Sequence, residues 1–195
     1  MNLLAHAYLS FNQPEILVGN MISDFVKGKK QFDYADGVQK GIRLHRAIDT
    51  FTDAHEATKK AAGLLKPTAG AYAGAFVDVV YDHFLANDTQ QFADDNALQL
   101  FAKNTYESLF EFVEILPERF DAMLPYMQAQ NWLYNYKHFR GIENSFAGLV
   151  RRAKYIDSST ETFVLFRKNY LGLQQCYNDF FPELKSFVLE KTAVL

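Results

Sequence analysis

Cysteine and tryptophan are nearly absent: the 195 residues include one of each, Cys176 and Trp132. A lone thiol cannot close an intramolecular disulfide, and Gln174, Gln175 and Tyr177 around it offer no metal-ligand spacing. A disulfide scaffold and a cysteine-held zinc are therefore excluded, and a reducing compartment is the expectation. Charge of one sign is scarce as well. With 20 Lys and Arg against 23 Asp and Glu, the net charge of −3 is too small for a general nucleic-acid or membrane binder. No run of apolar residues approaches the roughly 18 needed to span a membrane. No basic region precedes the apolar residues of MNLLAHAYLS, so a secretory leader is not expected and a cytoplasmic location is. Strand signals are also missing: nothing alternates cleanly over many residues, and no Asn-Gly or Asp-Gly pair joins two β-branched runs.

What is present is apolar bulk with helical period. The chain is 49% hydrophobic and 15% aromatic, with 18 Phe and 11 Tyr, enough for one large core. The periodicity predicts an all-α helical bundle forming a single domain over residues 1–195. Helices are expected near 2–9, 14–27, 37–64, 69–87, 95–115, 117–130, 131–139, 142–155, 159–180 and 182–192. Prolines at 14, 67, 117 and 182 suit helix starts or breaks, and Pro125 is expected to kink or divide its segment. Ser158 with Glu161 reads as a capping box.

The chemistry-bearing residues concentrate between Gly41 and His83. HRAIDTFTDAH at 45–55 and DVVYDHF at 78–84 hold three of the five histidines together with Asp49, Asp53, Asp78 and Asp82. Residues four apart on a helix have Cβ atoms about 5–6 Å apart, which pairs His45 with Asp49, Asp49 with Asp53, and Asp78 with Asp82. Two helices presenting such pairs could hold a divalent metal and a phosphate. Two carboxylates drawn together without a cation would raise one pKa, so a bound metal is the natural compensation. Upstream, GNMISDFVKG sets Asn20 and Asp24 four apart among Ile16, Leu17, Met21, Ile22, Phe25 and Val26. A carboxylate in apolar surroundings is costly unless paired or bound to a cation, which makes Asp24 a site candidate. By position alone, His6 among Leu3, Leu4 and Leu9 reads as a core histidine. His83, on an apolar stripe, reads the same way, and His55 as packing or capping. Arg151–Arg152 is either solvated surface or a phosphate clamp, the guanidinium being shaped for bidentate binding. Lys27, Lys29 and Lys30 beyond Asp24, with Arg43 and Arg46 beside His45, form either a solvated loop or a local basic cluster for an acidic partner.

Taken in order, MNLLAHAYLS, GNMISDFVKG, GIRLHRAIDTFTDAH and DVVYDHFLA, followed by Trp132, Tyr136, Gly141–Ile142 and the Arg151–Arg152 pair, resemble the acyl carrier protein phosphodiesterase family. The resemblance is densest over residues 1–88. It implies an all-α fold distantly similar to the HD phosphohydrolases, a divalent metal such as Mn²⁺ or Mg²⁺, and hydrolysis of the phosphodiester joining 4′-phosphopantetheine to a serine of holo acyl carrier protein. His6, Asp24, His45, Asp49, Asp78, Asp82 and His83 match the family's polar positions and form the candidate metal-ligand set. Within it, Asp24, His45, Asp49 and Asp82 are the candidate catalytic residues. Arg46, Arg151 and Arg152 are candidates for the substrate phosphate, and the aromatic residues around Trp132 for the pantetheine arm. Asp82–His83 reverses the His-Asp order of the wider HD superfamily, so ligand roles from that superfamily are not carried over. The expected partner is holo acyl carrier protein, with neither nucleic acid nor membrane. Two other readings stay open: a metal-dependent phosphohydrolase of a small molecule such as a nucleotide, and a helical protein that binds a carrier protein without turnover.

Overall fold

The computed structural model describes residues 1–194, and among them none lies in a strand. The architecture is all-α, as the periodicity predicts. α1 (Leu3–Tyr8) and α2 (Pro14–Ile22) lead into two 3-10 turns, Ser23–Phe25 and Gly28–Asp33, before α3 (Asp36–Ala54). Then follow α4 (Glu56–Ala69), α5 (Ala73–Ala86), α6 (Asp95–Phe110), α7 (Glu118–Ala129), α8 (Trp132–Asn135), α9 (Phe139–Val150), α10 (Thr160–Lys168) and α11 (Tyr170–Val194). The buried apolar residues form one continuous cluster. α5 runs through its middle: every residue from Val79 to Ala86 is buried, whatever its face. A helix apolar all round belongs inside, and here even Asp82 and His83 are carried in with it.

Several helix boundaries depart from the sequence expectation: Pro67 and Pro125 lie inside undivided α4 and α7, and the segment expected over 14–27 ends its α-helix at Ile22. Three departures have a visible reason. The helix expected over 37–64 divides at His55, whose backbone is extended (φ −72°, ψ 135°) and whose ring accepts the Ala57 N–H at 3.2 Å, capping α4. The segment expected over 159–180 divides at Asn169, whose side-chain amide donates to the Leu165 carbonyl at 3.0 Å. By contrast, Pro182 was expected to open a helix and instead sits inside α11. Phe180, Phe181, Leu184 and Val188 are all buried, and keeping that stripe continuous offsets the one backbone hydrogen bond that Pro182 cannot make. Ser158 bonds only locally, accepting the Thr160 N–H at 3.2 Å, and the residue before α10 makes no side-chain cap bond.

The most extensive helix pair is α2 against α3. Gly19 and Gly41 make it close: a Cβ on Gly19 would collide with the Val38 carbonyl oxygen, and one on Gly41 with that of Ile16. Backbone meets backbone there, and neither atom can yield without moving a helix. Gly41→Ala should cost about 2 kcal/mol, a fall in Tm of roughly 4–8 °C. Gly63→Ala, on the exposed side of α4 with nothing within 4 Å, should be neutral or stabilising by about 0.5–1 kcal/mol. Thermal melts of the two variants that coincided would contradict this account of the α2–α3 contact.

Candidate metal centre

The close α2–α3 contact puts the end of α2 against the middle of α3, where His45 and Asp49 lie, with α1 packed on α2 and α5. The α1 histidine, His6, and the α3 histidine, His45, stack with ring centroids 3.9 Å apart and planes 15° off parallel. Both are buried. One residue of α2 organises them. The backbone carbonyl of Asn20 accepts from His45 Nδ1 at 2.7 Å, and its side-chain Oδ1 accepts from His6 Nδ1 at 2.8 Å. The amide orientation follows from the rest of the network, because Asn20 Nδ2 donates to the His6 carbonyl at 2.9 Å and to Ser10 Oγ at 3.1 Å. A carbonyl can only accept, so Nδ2 must face it, Oδ1 must face the ring, and His6 must carry its proton on Nδ1.

Both Nε2 atoms therefore point the same way, toward carboxylates. Asp49, one turn beyond His45 on α3, lies 3.2 Å from His6 Nε2 and 3.1 Å from His45 Nε2, and Asp24 lies 3.3 Å from His45 Nε2. These are approaches in distance only: neither Nε2 makes a hydrogen bond with acceptable geometry, and both are buried polar atoms without a partner. On neutral His6 the Nε2 lone pair faces a carboxylate oxygen, lone pair to lone pair. Donor atoms of His6, His45 and Asp49 all lie within 4.8 Å of one another. Two imidazoles with Nδ1 hydrogen-bonded and Nε2 free, plus a carboxylate, form an arrangement compatible with a divalent metal ion.

The electrostatics agree with that geometry. Burial, then the stacked His45, pulls His6 down to about 4, so it is neutral at physiological pH. Burial also opposes charge on His45, but the carboxylates of Asp24 and Asp49 overcome it and hold the ring's pKa up at about 9. Burial works against the Asp49 anion too, and the two histidines outweigh it, so its carboxyl falls well below the usual range. His45 thus brings Asp24 down as well, before burial is counted. Asp24 remains the open edge of the cluster, its side chain 80% exposed against 41% for Asp49.

The other candidate residues have different surroundings. Asp78 lies alongside: its Oδ1 accepts from the Met1 amino group at 2.9 Å, and that same group is 3.6 Å from Asp49. Asp82 is fully buried, and both its oxygens are committed, accepting the backbone N–H groups of Leu4 at 2.7 Å and of Asn2 and Ala5 at 3.3 Å. It caps the N-terminus of α1; burial pushes its carboxyl up to about 7 against these donors and the Met1 amino group. His83 is not brought to the cluster. Its Nδ1 donates to the Tyr136 carbonyl at 2.7 Å, its Nε2 pairs with the Tyr170 hydroxyl at 3.0 Å, and its ring packs against Phe139. Arg46, adjacent to His45, donates to Gln31 Oε1 at 2.9 Å and to the Val26 carbonyl at 3.3 Å. Arg151 and Arg152 are exposed at the end of α9 and pair with no carboxylate among the described residues. Of the aromatic segment, Trp132 donates to Gln130 and Tyr134 to Asp95, while Tyr136 is buried.

A family model described as acyl carrier protein phosphodiesterase matches residues 1–184. The chain belongs to the acyl carrier protein phosphodiesterase family. Curated proteins of that name similar to it include those of Yersinia enterocolitica, 28% identical over 98% of this chain and 99% of that protein, and Photorhabdus laumondii, 27% identical over 98% and 94%. The one from Klebsiella pneumoniae is 29% identical over 94% and 95%. No solved structure matches. Within this acyl carrier protein phosphodiesterase family member, sequence reasoning passed over Asn20, although the signal was there: the apolar neighbours that marked Asp24 surround Asn20 equally.

Asn20→Ala removes the acceptor for His6 but keeps the main-chain carbonyl that holds His45. The variant should lose about 2 kcal/mol of stability, roughly 4–8 °C in Tm. Nitrogen-15 spectra should show His6 no longer fixed with its proton on Nδ1 and the His45 Nδ1–H retained. Equal disturbance of both rings would show that Asn20 does not divide its two oxygens between them.

Proposed function

We propose that this protein is a metal-dependent phosphodiester hydrolase, one domain over residues 1–195, that releases 4′-phosphopantetheine from the serine of holo acyl carrier protein. Family membership supports the reaction class. The observation that carries the metal is the pair of buried, unpartnered Nε2 atoms on His6 and His45, converging with Asp49. In this reading those three residues hold a divalent cation, Mn²⁺ or Mg²⁺, with Asp24 and Asp78 at its rim. When bound, the cation supplies Lewis acidity that makes water more acidic and offsets charge on the phosphoryl oxygens.

The chain's own residues account for the rest. Asn20 keeps both imidazoles turned so that Nε2 faces the substrate side. Asp24, at the open edge beside His45, takes a proton from the attacking water as its oxygen bonds to phosphorus. The bond from phosphorus to the serine oxygen breaks, the serine oxygen takes up a proton, and the products are apo acyl carrier protein and 4′-phosphopantetheine. Arg46, whose guanidinium keeps donors beyond the two already bonded, binds a phosphate oxygen, with Arg151 and Arg152 as further cations for the same group. Asp82 acts indirectly by fixing α1, and hence His6; His83 stays structural.

Incubation with holo acyl carrier protein and Mn²⁺ should yield the apo form, with far slower turnover of a panel of nucleotide and sugar phosphoesters. Chelation followed by dialysis should abolish turnover, and Asp49→Asn should lower it by at least about 10³-fold with helicity unchanged. Full activity after chelation would refute the metal, and preference for a nucleotide would favour the small-molecule reading.

A pH dependence follows from His45. The ring holds its proton up to about 9, and a metal ligand must release it, so binding Mn²⁺ at pH 7 should expel about one proton. Because the competing proton disappears as pH rises, affinity should climb about tenfold per unit toward pH 9 and then level off. Titration calorimetry in buffers of different ionisation enthalpy reads the proton directly. An affinity flat across that range would contradict the ligand role of His45.

A further inference from the structure

Between Asp24 and α3 the chain meets the core only through Phe25, Val26 and Tyr34. From Gly28 to Asp33 no residue is buried, yet the segment has a defined shape. It is tied down on both sides. Phe25 packs edge-on against Phe120 with centroids 5.4 Å apart, and Val26 is buried. Arg46 reaches across from α3 to the Val26 carbonyl and to Gln31 Oε1. At the far end, Gln39 Nε2 donates to the Tyr34 carbonyl at 2.8 Å. Gly28, at φ +57°, supplies a left-handed turn that side chains rarely adopt. The result is a fixed rim that points Lys27, Lys29, Lys30 and Phe32 into solvent, Phe32 with 64% of its surface exposed.

Among the described residues Lys40, Lys59, Lys103 and Lys137 pair with carboxylates, while other cations, Arg151 and Arg152 included, do not; what sets the rim apart is that its cations are grouped beside an exposed aromatic ring and the cluster. Among the described residues, none of Lys27, Lys29, Lys30, Arg43 and Arg46 makes an ion pair. Uncompensated cations around an exposed aromatic ring, immediately beside Asp24, have the composition of an interface: an apolar anchor with charges that steer approach.

We propose that Lys27, Lys29, Lys30 and Phe32 form the docking surface for an acidic face of the carrier protein, the lysines drawing it in and Phe32 seating against it. This rests on the carrier protein being the substrate. The surroundings favour a protein over a polyanion or a membrane. Asp24, Asp49, Asp53 and Asp78 are close by and repel a continuous run of phosphates, whereas a folded partner can set carboxylates against the lysines alone.

The test compares Lys29→Glu/Lys30→Glu and, separately, Phe32→Ser with the unaltered protein, all Mn²⁺-loaded. The substrates are holo acyl carrier protein and bis(p-nitrophenyl) phosphate. For the charge reversal, kcat/KM on the carrier protein should fall about tenfold or more at ~50 mM salt, with the gap closing toward ~0.5 M, since exposed charges are screened over about a Debye length. Phe32→Ser should lose a similar factor that salt does not restore. Cleavage of the small diester should be unchanged in both. Unaltered kcat/KM on the carrier protein, or an equal loss on both substrates, would overturn the docking surface. So would variants that lose binding to anionic vesicles or RNA while carrier turnover stays intact. If the unaltered protein hydrolyses no holo carrier protein at all, the proposed reaction fails instead. Docking is then judged by calorimetric binding of apo acyl carrier protein, which the charge reversal must weaken for the surface to stand.

Discussion

Everything at the candidate metal centre depends on two backbones being allowed to touch. Gly19 and Gly41 let α2 approach α3 until carbonyl oxygens fill the space where side chains would start, and only at that separation does the Asn20 carbonyl reach the His45 ring. A helix carbonyl near a C-terminal end lacks an intrahelical partner, so the end of α2 offers an acceptor at no cost to its own ladder. His45 occupies it. The side chain of the same residue then fixes His6, and the two rings stack with their free nitrogens side by side. A single asparagine thus converts a helix–helix contact into the alignment of two imidazole nitrogens from different helices.

Charge explains why the arrangement holds together. Asp24, Asp49, Asp53 and Asp78 gather where several of them are partly desolvated, and that concentration is unfavourable unless something positive lies within it. Protonated His45 and the Met1 amino group supply that compensation in the protein alone. Asp53, exposed one turn beyond Asp49, still has its carboxyl raised by burial and then by Asp78. The cluster therefore carries unspent negative potential facing solvent, which suits it to a cation on one side and to basic rim residues on the other.

The architecture was legible because the apolar stripes repeat at helical spacing for most of the chain. Helix ends were less legible, since they are decided by tertiary burial: Pro182 stays inside α11 because four large side chains around it are buried, a fact no local window contains. At the site, spacing on α3 identified His45 and Asp49 as neighbours, and apolar company singled out Asp24. His6 read as a core histidine from its own segment, since the residues that turn its Nε2 toward Asp49 lie on α2 and α3. Asp78 and Asp82 look equivalent at four apart on one helix, yet one meets an amino group at the cluster and the other a row of backbone N–H groups. Which partner each acquires depends on where α1 lies, and a pattern along α5 cannot say that.

Asp82 has a consequence for the order in which the molecule is made. α1 is six residues long, too short to persist alone in water, and the anion that completes its first turn lies about 80 residues later in the chain. During synthesis from the N-terminus, the segment bearing His6 must wait, unstructured, until α5 has emerged and folded. The first histidine to be translated thereby reaches its native position only after α5, far along the chain, has been made. A chain that has not yet reached α5 cannot settle the three-residue cluster, so His6, His45 and Asp49 come together only with a core that already encloses α5.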